Sequence, residues 1–189
     1  MSQEEYLAQA YVLDQQVVEV EPIDVKGFIL DIGGGGEGVI GRLNGEQVVA
    51  IDKRLEELEE TDNDSLKIVM DATDLQFLDE SFTAATAFFT FMYIPNDVKL
   101  KVFTEAYRVL RSGGKMLVWD AVIPGESGDK QYFVIPLRVV MPGETVETGY
   151  GVRFKEQNAE GLKELAIAAG FKVMKVETGE HTFYIELSK

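Results

Sequence analysis

The ten residues Ile29-Leu30-Asp31-Ile32-Gly33-Gly34-Gly35-Gly36-Glu37-Gly38 constrain this chain more than any other stretch. An apolar run of strand length empties into five glycines within six positions, and helix-compatible residues follow. A strand that ends in such a loop and leads into a helix is the opening unit of a parallel sheet. The glycines allow positive backbone angles and let a ligand approach the main chain closely. Free backbone donors where the loop meets the helix suit an anionic or carboxylate group. The loop by itself leaves the ligand open, since Gly33, Gly35 and Gly38 also satisfy the dinucleotide spacing G-x-G-x-x-G.

The rest of the chain repeats the alternation. Apolar runs at 28–32, 47–51, 66–70, 84–91 and 115–122 read as strands, with helices expected at 38–43, 53–60 and from about 97 to 110. Asn96 or Asp97 is the expected cap of the last of these, and Ser112-Gly113-Gly114 its stop. Tyr6, Leu7, Ala10, Tyr11 and Leu13 form an apolar stripe that predicts a first helix over 2–16. Residues 120–157 hold Pro124, Pro136 and Pro142 among β-formers and read as an inserted, partly stranded flap. A helix over 158–169, stopped by Gly170, precedes strands 171–177 and 182–188, which must pair antiparallel across a short turn. The fold class is therefore α/β: a Rossmann-like, doubly wound, seven-stranded sheet, six strands parallel and the C-terminal one reversed.

Composition narrows the class. With 189 residues, 46% of them hydrophobic, the chain fits one domain, residues 1–189, which should bury roughly 70% of its unfolded surface. No apolar run approaches the ~20 residues a bilayer span needs, and residues 1–11 lack the basic region of a secretory signal. The chain has no cysteine, which excludes disulfides, thiolate metal sites and a cysteine nucleophile and matches a reducing cytoplasm. A net charge of −15 without a basic cluster argues against a nucleic-acid partner. With one histidine and no carboxylate spacing suited to a hard cation, no metal is expected.

Three further motifs move the choice of ligand. Asp52 ends the run Val48-Val49-Ala50-Ile51, 19 residues beyond Gly33, where an acid accepts hydrogen bonds from ribose hydroxyls or caps the next helix. Asp71-Ala72-Thr73-Asp74-Leu75 follows the third strand, with Asp79-Glu80-Ser81-Phe82 shortly after. Then comes Tyr107-Arg108-Val109-Leu110-Arg111-Ser112-Gly113-Gly114. In these motifs and their order the chain resembles the class I S-adenosylmethionine-dependent methyltransferases, especially the branch with D-A-x-x-L-P-F-x-D-x-S-F-D and R-V-L-K-P-G-G. The resemblance runs from residue 28 to 189. It implies S-adenosylmethionine as cofactor, with Asp31, Gly33 and Gly35 at its methionine end and Asp52 on the ribose. It also implies Asp71 and Ala72 at the adenine edge, and Phe89 and Thr90 beside the transferable methyl. The chain departs from the pattern at Glu37, where a third glycine is common, and at Gln76, Thr83 and Ser112. Tyr93 stands where a histidine often follows the fourth strand.

Catalytic side chains are not marked. Methyl transfer needs a base only when the acceptor must lose a proton, and Tyr93 and His181 are the candidates. His181 also reads as an exposed turn residue, and Trp119 as core. In the aromatic stretch 88–93 the first part reads as core, and its end, Phe91 to Tyr93, as either core or a wall of the acceptor pocket. Asp120 and Glu126 are candidates for the pocket border. The segments 1–16 and 120–157 are candidate lids, with Tyr11, Tyr93, Tyr132 and Tyr150 as walls of a pocket for a small-molecule acceptor. The alternative is that both segments pack on the sheet sides or join two copies in a homodimer. Two other functions compete: a non-catalytic module binding the cofactor or a partner, and a nicotinamide-dependent oxidoreductase. The second would use Tyr-x-x-x-Lys, and none of the seven tyrosines has lysine four residues on.

Overall fold

The computed structural model describes residues 3–125 and 128–189. The chain opens with α1 (Gln3–Ala8), β1 (Ala10–Val12), β2 (Gln16–Glu19), β3 (Ile29–Ile32), α2 (Val39–Asn44) and β4 (Val48–Asp52). It continues with α3 (Leu55–Glu60), β5 (Leu66–Val69), β6 (Phe82–Phe88), α4 (Lys99–Val109) and β7 (Leu110–Ala121). Then follow β8 (Tyr132–Met141), β9 (Glu144–Arg153), α5 (Ala159–Ala168), β10 (Lys172–Thr178) and β11 (Thr182–Ser188).

Seven strands form the main sheet in the order β10-β11-β7-β6-β3-β4-β5. Only β11 is reversed, pairing antiparallel with both β7 and β10, as the closing hairpin required. Every residue of β3 is buried because it lies mid-sheet with both faces covered. On one face Leu30, Ile32, Ala85, Met116 and Phe183 pack against α4 and α5. The α4 side chains Val102, Phe103, Ala106 and Val109 are buried there, and each of the larger ones contributes about 1.5–3 kcal/mol by leaving water. Phe103 stacks on Phe91 with centroids 4.5 Å apart. Arg108, from the Arg-Val-Leu motif, donates to the carbonyls of Leu75 and Phe77, each at 2.8 Å, and pairs with Asp79 and Glu105. That motif is scaffold: it fastens the loop after β5 to α4.

The other face carries a second sheet. Strands β8 and β9 form a hairpin closed at Pro142-Gly143, with Gly143 at φ 86°, a value a type II turn reserves for glycine. Along β8, Phe133, Ile135, Leu137, Val139 and Met141 alternate inward and join a core with Ile29, Ala50, Ala84, Phe88 and Leu117. The segment read as a flap is thus a structural layer, and only part of β9 reaches the ligand edge.

Three local expectations are corrected. The first helix spans Gln3–Ala8 instead of 2–16 (residue 2 lies outside the described residues). After it, β1 and β2 add in parallel to the free edge of β8. Isolated helices of this length are marginal in water, while Tyr11-Val12 and Val17-Val18 suit a strand and cover an open sheet edge. Neither Asn96 nor Asp97 caps α4, whose start is Val98 with no side-chain cap. Ser112-Gly113-Gly114 does not stop that helix, which ends at Val109; the three residues lie where the β6–β7 register shifts, with Gly113 at φ 75°. At α5, by contrast, Asn158 is a true cap, its Oδ1 accepting from the Gly161 amide at 2.9 Å.

Candidate functional site

A cavity of about 870 Å³ opens beyond the carboxyl ends of β3, β4, β5 and β6. That is the edge where open α/β sheets take ligands. All eight residues assigned to cofactor binding from the sequence line it: Asp31, Gly33, Gly35, Asp52, Asp71, Ala72, Phe89 and Thr90. Tyr93 lines it too.

Asp31 is the deepest of them, 2% exposed, and its carboxylate accepts from the Thr86 hydroxyl at 2.7 Å. Burial pushes it up to about 7; Asp52 adds to the rise and Thr86 opposes it. Gly33 follows at φ 72°, and a Cβ there would lie 2.5 Å from the Thr90 side chain, so two separate constraints demand glycine. The amides of Gly33 and Gly34 bond the Ile51 carbonyl, and that of Gly36 the Glu57 carbonyl. The amides of Gly35 and Glu37 have no hydrogen-bond acceptor among the described residues.

At the next strand end, Asp52 accepts from the Arg54 amide at 2.9 Å. It thereby orders the turn before α3 and faces the cavity, but it is not the helix cap expected from the sequence: the N-cap of α3 is Arg54, without a side-chain cap. Asp71 bonds the amide and hydroxyl of Thr73, each at 2.8 Å, and pairs with Lys53 at 2.9 Å. Lys53 and then Thr73 hold its carboxyl down at about 2. These groups fit S-adenosylmethionine: unclaimed amides for its carboxylate, a buried acid for its ammonium, and acids for its ribose and adenine.

The opposite end of the cavity is apolar. Phe89 sits at φ 49°, a left-handed conformation that costs a side-chain-bearing residue about 1–2 kcal/mol. Its amide donates to the Trp119 carbonyl at 2.8 Å and its ring stacks on Tyr150 at 5.4 Å. Tyr93 meets Tyr150 edge-on at 6.4 Å, and Ile94, Pro95 and Val98 extend the wall. Of the four tyrosines expected to wall the pocket, Tyr93 and Tyr150 do so. Tyr11 and Tyr132 instead pack on Phe154 and Tyr6.

Sequence reasoning missed the contact that joins the two sheets here. Glu37 receives hydrogen bonds from the Thr148 hydroxyl and from Tyr150 Oη, the latter at 3.0 Å. The strand period of two places Thr148 and Tyr150 on one face of β9, which was the available signal.

The remaining candidates lie elsewhere. His181 sits in the β10–β11 turn beside Glu180 at 3.6 Å and does not line the cavity. Trp119 packs between Phe88 and Tyr184. Asp120 is fully buried behind the wall, bonded by the Met92 and Ala121 amides and by Gln157, which also binds Lys99 at 2.6 Å. Burial raises Asp120 to about 6 and lowers Lys99 to about 8. Phe91 and Met92 are wholly buried core. Glu126 lies outside the described residues.

Comparison with known proteins agrees with this geometry. A family model described as a methyltransferase domain matches residues 30–118. The demethylmenaquinone methyltransferase of Listeria welshimeri is 34% identical over 88 residues, 46% of this chain and 36% of the relative. The chain thus spans about a third of the length of the curated relatives it matches. Among solved structures, an S-adenosylmethionine-dependent methyltransferase from Mesorhizobium loti superposes with a TM-score of 0.60 at 13% identity, covering 86% of this chain and 90% of that one. The [4+2]-cyclase SpnF superposes with a TM-score of 0.61 at 18% identity, covering 87% and 76%. At such identities these two likenesses concern the fold alone.

Proposed function

We propose that this chain, whose residues 30–118 match the methyltransferase-domain family model, binds S-adenosylmethionine and transfers its methyl group to a small organic acceptor. The observation that carries the reading is the convergence of Asp31, Gly33, Gly35, Asp52, Asp71, Ala72, Phe89 and Thr90 on one cavity. They come from four separate strand ends, and the methyltransferase pattern assigns each a place along one cofactor.

The bound cofactor supplies the activated methyl. The protein's part is to position and to exclude water. Asp31 and the free loop amides hold the amino-acid end, and Asp52 holds the ribose. Asp71 and Ala72 face the adenine. Phe89 and Thr90, fixed by the Trp119 and Ile32 carbonyls, set the wall against which the acceptor lies. Holding two reactants at attack distance can contribute about 7–11 kcal/mol. Tyr93 and Tyr150 stand at the apolar end, and the β8–β9 hairpin reaches the cavity through Gly149 and Tyr150. Desolvation of its phenol pushes Tyr93 up to about 12, which disfavours the ionised form a base would need.

The nicotinamide reading rests on the glycine spacing and Asp52 and finds no Tyr-x-x-x-Lys pair to support it. The test is incubation with S-adenosylmethionine and a panel of small acceptors, read as S-adenosylhomocysteine released. Release that depends on one acceptor class is the expected result. Cofactor binding with no release from any acceptor would favour a non-catalytic module.

A further inference from the structure

The end of the cavity beyond Phe89 has a charge and surface that select among acceptors, and the following rests on the methyl-transfer reading. Three basic side chains line the cavity, and each is already held by a carboxylate: Arg42 by Glu144, Lys53 by Asp71 and Arg54 by Glu57. Among the described residues, no lining cation is left to receive an anionic acceptor. Of the lining carboxylates, Asp31 and Asp52 are taken by the cofactor. The Glu37 side chain reaches from the glycine loop to the Phe89 end, where Thr148 and Tyr150 orient its carboxylate. Arg42 donates to its backbone carbonyl at 2.6 Å, and no basic side chain among the described residues forms an ion pair with the carboxylate itself. Both of its side-chain partners are hydroxyl donors, which fix the carboxylate without pairing it with a cation and leave lone pairs for another donor. Beside it stand the rings of Phe89, Tyr93 and Tyr150, whose quadrupoles attract a cation. The net charge of −15 draws cations toward such a mouth and repels anions.

We propose that the acceptor is an amine on an apolar or aromatic body, with its nitrogen recognised by Glu37 and the Phe89–Tyr93–Tyr150 rings. The amine enters as ammonium and gives one proton to the Glu37 carboxylate. Its freed lone pair forms the N–CH₃ bond as the bond from methyl to sulfur breaks, and that bond's electron pair stays on sulfur. The products are a methylated ammonium and a neutral thioether, and Glu37 returns its proton to water.

Calorimetry on the protein saturated with S-adenosylhomocysteine tests this without relying on turnover. The probes are phenethylamine, phenethyl alcohol and hydrocinnamate, which differ chiefly in the charge of the end group. Phenethylamine should bind at least about tenfold tighter than the alcohol, and hydrocinnamate weakest, as one charge-assisted contact allows. In Glu37→Gln the amine-to-alcohol ratio should fall to about twofold or less. Tyr93→Leu should reduce amine affinity by about threefold to tenfold while leaving the order of the probes, so the inference stays testable if the Glu37 variant does not fold. The inference is overturned if the amine binds no tighter than the other two probes, or if Glu37→Gln keeps the full ratio. Absence of S-adenosylhomocysteine binding would instead sink the methyl-transfer reading, and this inference with it.

Discussion

Asp31 illustrates how one side chain can be costly for folding and useful for binding. A buried carboxyl held near 7 keeps its proton in the free protein at mildly acidic pH. Its unfolded counterpart ionises near 4, so this group makes the fold less stable as pH rises from about 4 to 7 and contributes no further change above that. A cofactor ammonium favours the ionised form. S-adenosylmethionine affinity should therefore fall as pH drops below about 7, by up to about tenfold per unit, and level off above it. Asp31→Asn should bind more weakly and lose that dependence. Titrations in buffers of different ionisation heat should register proton release near pH 6; no release would contradict the role given to Asp31. The acids at strand ends were legible in the sequence because an apolar run that closes on a carboxylate fixes where the carboxylate points. Glu37 was legible only as a departure from a pattern, since its partners lie more than a hundred residues away on β9.

At the scale of elements, period and burial decided what could be read. Strands β3, β4 and β6 are apolar on both faces, and their positions follow from the sequence within a few residues. The reversed β11 followed from a turn too short to allow a crossover. The N-terminal segment misled because its stripe of Tyr6, Leu7, Ala10, Tyr11 and Leu13 satisfies helical spacing, while its partner, the edge of β8, is more than a hundred residues distant. Long-range pairing overrode local preference. Leu13 makes the difference measurable: it is 7% exposed, its amide donates to Val134, and its side chain belongs to the core beneath the hairpin. Leu13→Ala should cost about 2–3 kcal/mol, lowering Tm by roughly 5–10 °C. A shift under about 1 °C would mean that the segment does not pack there.

At the scale of the whole molecule, the described residues form two sheets packed over a shared core, with Gly149 and Tyr150 of the smaller at the ligand edge of the larger. No described helix is long and apolar enough to cross a membrane. The class of the main sheet was legible because alternation of strand and helix has few right-handed solutions. The second sheet was not, because prolines and glycines among β-formers describe a loop, a flap and a packed hairpin equally well. What the large cavity holds decides the function. Calorimetric titration of S-adenosylmethionine into the parent protein and into Asp52→Ala, with NAD as the competing ligand, tests it most directly. Saturable binding of S-adenosylmethionine and none of NAD is expected, with Asp52→Ala weakening the former by about 1.5–3 kcal/mol through loss of charge-assisted hydrogen bonds. Saturable NAD binding, no heat with S-adenosylmethionine, or equal affinity in the two proteins would contradict it.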